Sequence, residues 1–252
     1  MGRFGAVSQK RYGLIDSFRG FTLLSMLIYH LAYDIICIFG GNFDWFTQPW
    51  VMAWERSISF SFVVISGVSL NFSRHAYRHG LIVNACGLVI TAVTAIVIPD
   101  QIIIFGILNC IGCSMIITRA LRRLLERIEP FFGAVVSFFL FGFAFGLPLR
   151  YLGFFDVRLT SLPDWLYSLR PLAVLGLYDN YFFSADFFPL IPWLFLFFCG
   201  FFIWRAIEKA GKEKLFLFGV PALDFIGRYT LWIYLIHQPL FMGICFLIFG
   251  GI

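Results

Sequence analysis

The chain has 252 residues, of which 60% are hydrophobic and 13% charged, and phenylalanine alone fills 34 positions. Soluble domains run near 45–50% apolar and about 25% charged, so a water-soluble globule is excluded; a core of this size cannot hide so much apolar surface. The net charge of +5 is not a nucleic-acid footprint, because the basic residues sit between apolar runs, where they act as topology signals.

The runs are continuously apolar and lack the alternation of a barrel strand. They are therefore read as helices, which satisfy their backbone polar groups within the segment. A crossing needs about 20 residues. In chain order the spans are 20–40, 50–72, 81–98, 102–121, 131–149, 187–207 and 226–249. The first is long, carries His30 and Asp34 and lacks a small-residue cleavage site, so it is not read as a cleaved leader. The fifth contains Gly142 and Gly146, a small-xxx-small pair suited to a close helix crossing. In the sixth, residues 194–202 are rich in phenylalanine and are expected to face lipid. Cys37, Cys86, Cys110, Cys113, Cys199 and Cys245 all lie in apolar spans. That placement argues against a disulfide framework. The C-x-x-C at Cys110 and Cys113 has no second ligand pair, so it is read as helix packing and no metal site is expected.

Orientation follows from lysine and arginine. With the N-terminus inside, the cytoplasmic set is Arg3, Lys10, Arg11, Arg19, Arg74, Arg78, Arg119, Arg122, Arg123, Arg127, Arg205, Lys209, Lys212, Lys214 and Arg228. The outer set is Arg150, Arg158 and Arg170, and Arg56 falls within a span. This bias predicts an all-α integral membrane protein, a bundle of about seven transmembrane helices with the N-terminus in and the C-terminus out. It is a single domain over residues 1–252, with 1–15 as a cytoplasmic segment and 150–186 as an external loop. The loop holds a short apolar stretch at 172–177 among aromatic residues. Six residues cannot span, so the stretch is interfacial or re-entrant, or part of an aromatic belt anchoring the loop.

Ionisable groups inside a bilayer are costly and point to function. Here they are His30, Asp34, Glu55, Arg56 and His237, with Asp16, Arg19, Asp100, Asp186 and Arg228 at the rims. Arg19, His30 and Asp34 share one helix face, the first two roughly 16 Å apart along the axis. Glu55 and Arg56 are sequence neighbours and cannot face each other, so each needs a partner elsewhere. His237 precedes Gln238-Pro239, and the proline frees a carbonyl near Leu235. Asn109 lies between Gly106 and Gly112 and needs a partner, whether a neighbouring helix or a ligand.

At these residues the chain resembles a known family. Ile15-Asp16-Ser17-Phe18-Arg19-Gly20 running on to Tyr29-His30, then Phe62-Val63-Val64-Ile65-Ser66-Gly67, and then Phe105-Gly106-Ile107-Leu108-Asn109-Cys110-Ile111-Gly112 occur in order. Asp186-Phe187-Phe188-Pro189 and the run from Ile226-Gly227-Arg228 to His237-Gln238-Pro239 follow. Together they resemble the heparan-alpha-glucosaminide N-acetyltransferase catalytic-domain family over residues 11 to about 245. The Arg19-to-His30 spacing is also similar to that of bacterial membrane acyltransferases that O-acylate sugars. One departure bears on chemistry: the animal lysosomal member has an essential histidine just after the first helix, and residues 40–50 here have none. Either His30 does that work, or the mechanism differs, or the activity is absent.

The resemblance implies a membrane-bound acyltransferase moving an acyl group, acetyl first, from an acyl-CoA to a sugar hydroxyl or amine. His30 would be the general base, with Asp34 orienting it. Asn109, Asp186 and His237 are second catalytic or acceptor-binding candidates. Arg19, Arg119, Arg122 and Arg228 would meet donor phosphates at the cytoplasmic face, since guanidinium matches phosphate geometry; Arg119 and Arg122 also read as ordinary positive-inside charge. No bound cofactor is expected beyond acetyl-CoA or a related acyl-CoA as co-substrate. The partners are membrane lipid and a glycan or amino-sugar acceptor, and the location is a bacterial cytoplasmic membrane. The competing readings are a proton-coupled or anion transporter using Arg19, His30 and Asp34 as its path, and a non-catalytic scaffold.

Overall fold

A computed structural model describes residues 11–250; Arg3 and Lys10, counted above among the cytoplasmic charges, lie outside the described residues. Among the described residues, eight α-helices carry the fold. They are α1 (Gly13–Tyr33), α2 (Pro49–Leu70), α3 (Ala76–Val97), α4 (Ile107–Leu125), α5 (Pro130–Ala144), α6 (Leu190–Lys209), α7 (Pro221–Arg228) and α8 (Thr230–Phe249). Proline opens α2, α5 and α7 at a position where its missing N–H costs nothing. At the start of α5 the Glu129 carboxylate accepts from the Phe132 N–H at 2.7 Å and pairs with Lys209 at 2.9 Å, tying the start of α5 to the end of α6. Those two partners hold Glu129 below the usual carboxylate range.

Among the described residues, six helices are long and apolar enough to cross a membrane: Gly13–Ile38, Pro49–Leu70, Ala76–Val97, Pro130–Leu149, Leu190–Lys209 and Thr230–Phe249. The segment expected at 102–121 is shifted. Residues before Gly106 are extended or turned, and α4 runs on to Leu125, taking in Arg119, Arg122 and Arg123. The segment expected at 226–249 is broken at Tyr229, which leaves α7 as a separate short helix.

Relative directions are fixed by contacts. Along α1, Ser17 meets Asp224, Gly20 meets Leu223 and Gly227, and His30 meets His237. With Asp34 on Gln238 and Phe39 on Phe249 beyond them, the numbers rise together along α8, so α1 runs parallel to α8; α7 crosses α1, since Gly227 also meets Asp16. Phe60 against Trp193 and Phe72 against Trp204 make α2 parallel to α6. Gly80 against Met115 and Gly87 against Asn109 make α3 antiparallel to α4. Gly133 against Phe202 and Phe141 against Trp193 make α5 antiparallel to α6.

The core centres on α6. Phe197, Phe201, Phe202 and Trp204 are buried together with Val63, Leu23 and Phe141. The expectation that residues 194–202 face lipid is therefore wrong: this helix is enclosed by α2, α4 and α5, which bury it against protein. Close approach is what lets it pack. A side chain on Gly67 would meet the backbone of Phe197 and Phe201, and one on Gly200 would meet the backbone of Val64. Small residues of this kind let membrane helices gain packing contacts where the hydrophobic effect gives none.

The connection from α5 to α6 corrects another expectation. Gly142 lies against Phe154 and Phe155, and Gly146 against Tyr151. The pair makes room for a hairpin rather than a helix crossing. That hairpin, β1 (Tyr151–Phe154) and β2 (Val157–Ser161), is antiparallel with Tyr151 opposite Ser161. It is the one departure from an all-helical chain among the described residues. The stretch at 172–177 is a short 3-10 turn, Arg170–Leu175, closed by Gly176 in a left-handed conformation.

Candidate functional site

The polar residues expected to carry chemistry gather where α1, α4 and α8 meet the segment before α6. The end of α1 is irregular: at Asp34 it widens into a π turn, Asp34–Ile38. Single π turns inside helices often sit at functional positions. Asp34 is fully buried, and its Oδ1 accepts from the Gln238 amide at 2.7 Å while Oδ2 has no partner. One turn earlier, the His30 ring faces the His237 ring at 5.1 Å. His30 and Asp34 thus share the face that meets α8, but Asp34 bonds Gln238 and not His30.

On α8 the geometry of His237 fixes its tautomer. Its Nδ1 lies 2.5 Å from the Tyr234 carbonyl oxygen. A carbonyl only accepts, so Nδ1 carries the proton and the lone pair of the neutral ring is on Nε2. That Nε2 is buried and has no partner. Pro239 lies two residues on, inside α8. Of the six buried side-chain atoms without partners among the described residues, three, Asp34 Oδ2, Gln238 Oε1 and His237 Nε2, lie on these two facing segments; the others are Asn109 Oδ1, Ser114 Oγ and Glu213 Oε2. Unpaired polar groups in a low-dielectric interior are costly, and a bound polar group would satisfy them.

Asp186 is positioned by backbone pairing. Ser184 bonds Ile104 in both directions, the Ala185 N–H donates to Ile102 O at 2.9 Å, and the Phe188 N–H donates to Phe105 O at 3.1 Å. Phe105 adopts a φ of 54°, rare for a bulky residue. This lays Asp186 beside Gly106, the residue before α4. Burial, and next the nearby Glu55 carboxylate, push its pKa up to about 7. Asp186 lines a cavity of about 10 Å³ with Asn109 and Tyr234. Asn109 is almost fully buried; its amide nitrogen donates to the Asn84 carbonyl at 3.2 Å, and its Oδ1 has no partner.

Toward the end of the bundle that carries Arg19 and Arg228, a larger cavity of about 270 Å³ opens between α1, α2, α3, α4 and α8. Ile107, Leu108, Ile111 and Met115 line it along α4, a depth of about 12 Å at helical rise. Arg19 is held by Asp16 at 3.0 Å and Ser69 at 2.5 Å. Arg228 is exposed and makes no ion pair among the described residues. Arg119 and Arg122 do not line this cavity, and Arg122 pairs with Glu126 at 2.7 Å along its own helix. Tyr234 lines both cavities.

Glu55 and Arg56 have separate partners, Tyr29 at 3.1 Å and Asp156 at 3.9 Å. The six cysteines are free thiols. The sequence reading missed Tyr234 and Gln238, although Tyr234 stands three residues before His237 and so on the same helical face.

The model of one protein family, described as heparan-alpha-glucosaminide N-acetyltransferase, catalytic, matches residues 11–239. No curated protein and no solved structure matches the chain.

Proposed function

The chain belongs to the heparan-alpha-glucosaminide N-acetyltransferase catalytic family, and from that premise we propose that it is a multi-pass membrane acyltransferase. It moves an acyl group, acetyl first, from a cytoplasmic acyl-CoA to an amine or hydroxyl of a sugar presented from the opposite side. The observation that carries this reading is the 270 Å³ cavity, which has Arg19 and Arg228 among its lining and Tyr234 on its wall. The arginines suit donor phosphates, and the pantetheine arm follows α4 inward. Tyr234 contacts the His237 ring at 5.3 Å, and His237 contacts His30. The thioester and the paired histidines therefore meet at mid-depth. His237 Nε2, with its free lone pair, takes the acceptor proton, and His30 completes the pair. Asp34 and Gln238 hold the two helices together beside them.

The test is direct. Purified protein in lipid nanodiscs is given radiolabelled acetyl-CoA and glucosamine as probe acceptor. Labelled N-acetylglucosamine is the expected product, and its absence with both amino-sugar and hydroxyl acceptors would overturn the reading. A transporter would show uptake into proteoliposomes with no covalent product.

Sidedness belongs to the same proposal. The parallel pairs α1 with α8 and α2 with α6, and the antiparallel pairs α3 with α4 and α5 with α6, alternate consistently only when α4 also crosses. That supports seven crossings; the lysine and arginine bias supports the charged end of α4 in the cytoplasm and the C-terminus outside, and the membrane we propose is a bacterial cytoplasmic one. The exposed positions Asp44 and Asp164 are then external. In a cysteine-free background, Asp44→Cys and Asp164→Cys are expected to react with an impermeant maleimide in intact cells, and Arg123→Cys only after permeabilisation. The reverse pattern would invert the orientation.

A further inference from the structure

Acyl transfer from a thioester leaves a thiolate, which needs a proton as the C–S bond breaks. The histidine pair takes a proton and cannot supply this one in the same step. The group that can is already on the wall. Tyr234 lines the large cavity proposed for the donor and also the small cavity that holds Asp186 and Asn109. No protein hydrogen bond engages its hydroxyl among the described residues, and it lies within electrostatic range of Asp186. The small cavity, about 10 Å³, is about the size that admits one water, which needs two to four polar partners. Asn109 Oδ1, nine-tenths buried and unpartnered, is one such partner. Asp186 and Tyr234, which line the same cavity, supply the others.

We propose that Tyr234 is the general acid of the transfer, delivering its hydroxyl proton to the leaving thiolate and regaining one from Asp186 through a single water held by Asn109. The inference rests on the acyl-transfer reading above. In the step, the acceptor N–H or O–H proton passes to the histidine base and the acceptor–carbonyl bond forms. The C–S electron pair moves to sulfur, which takes the tyrosine proton. The phenolate is reprotonated from the Asp186 side, Asp186 takes a proton from the outer medium, and the histidine releases its proton there. The pKa of Asp186, raised by burial, keeps a protonated carboxyl available near neutrality. Asp186 is thus a proton reservoir and Asn109 a positioning residue for the water.

The experiment compares two donors with glucosamine as acceptor: acetyl-CoA, whose alkyl thiolate needs protonation, and S-phenyl thioacetate, whose aryl thiolate leaves unaided. Tyr234→Phe keeps the ring and removes the proton. Its turnover with acetyl-CoA is expected to fall by about 10²–10⁴, the usual cost of losing an acid catalyst, and by less than about tenfold with the aryl thioester. Its KM for acetyl-CoA stays near the wild-type value. Asp186→Asn is expected to show the same donor selectivity, and decides the matter if Tyr234→Phe does not fold. Equal loss with both donors, or no loss with acetyl-CoA, overturns the role of Tyr234 while leaving the acyltransferase reading standing. A wild-type protein that transfers from neither donor overturns both.

Discussion

Replacing His237 by alanine is expected to lower acyl transfer by about 10²–10⁴, as loss of a general base does, with folding and acetyl-CoA binding near wild type. The warrant is the tautomer. The Tyr234 carbonyl holds the proton on Nδ1 and leaves the Nε2 lone pair buried and unpartnered. His30→Ala is expected to cost a similar factor, because the two rings face each other at 5.1 Å. Groups acting as one unit are grossly non-additive, so the double variant should be little worse than the poorer single one. A multiplied loss would mean two independent roles. Loss in His30→Ala alone would make His30 the base, and unchanged turnover in both would remove the pair from the mechanism. The readout is single-turnover transfer from acetyl-CoA, with donor binding measured separately.

A large effect on stability is expected at the crossing of α2 and α6. A side chain on Gly67 would run into the backbone of Phe197 and Phe201, which cannot rotate away as a side-chain tip can. Overpacking a closed site costs about 1–3 kcal/mol, and the upper end is expected where backbone is the obstacle. Gly67→Val should therefore lower the unfolding temperature in detergent by several degrees, and so should Gly200→Val. Since both load the same crossing, the pair should not add. Gly243→Val is the control, because a side chain there meets nothing within 4 Å. Equal behaviour of Gly67→Val and Gly243→Val would mean that the crossing is not close-packed.

The spans were legible because a bilayer demands long apolar runs, and six of the helices satisfy that demand by composition. The face of each helix was not. Residues 194–202 are phenylalanine-rich whichever way they point, and only the glycines opposite them reveal that they are enclosed. The hairpin was illegible for a different reason. Its two-residue connection, Phe155-Asp156, lacks the Asn-Gly or Asp-Gly signal of such turns, and Phe155 takes a φ of 51° without being glycine. Among the site residues, His30, Asp34, Asn109, Asp186 and His237 stood out because charge or an amide in an apolar run is rare. Their pairings were hidden. Asp34 meets a residue 204 positions later, and no local spacing encodes that. Tyr234 was hidden by type, since tyrosine is common near membrane interfaces.

The contact of α1 with α8 joins two helices translated far apart. During synthesis α1 enters the bilayer with the Asp34 carboxylate on it, and the Gln238 amide that will bind it follows 204 residues later. Until then a helix carrying an uncompensated acid must wait in lipid, at a cost of about 2.5–3.5 kcal/mol on an insertion scale. Until α8 inserts, α1 lacks the Gln238 partner of Asp34, and the His30 and His237 rings meet only when α8 packs beside it. A nascent chain cut short before residue 230 would hold Arg19 of α1 and yet have no Tyr234 or His237. On the proposed mechanism such partial products are inert toward acetyl-CoA, and insertion of α8 completes the site.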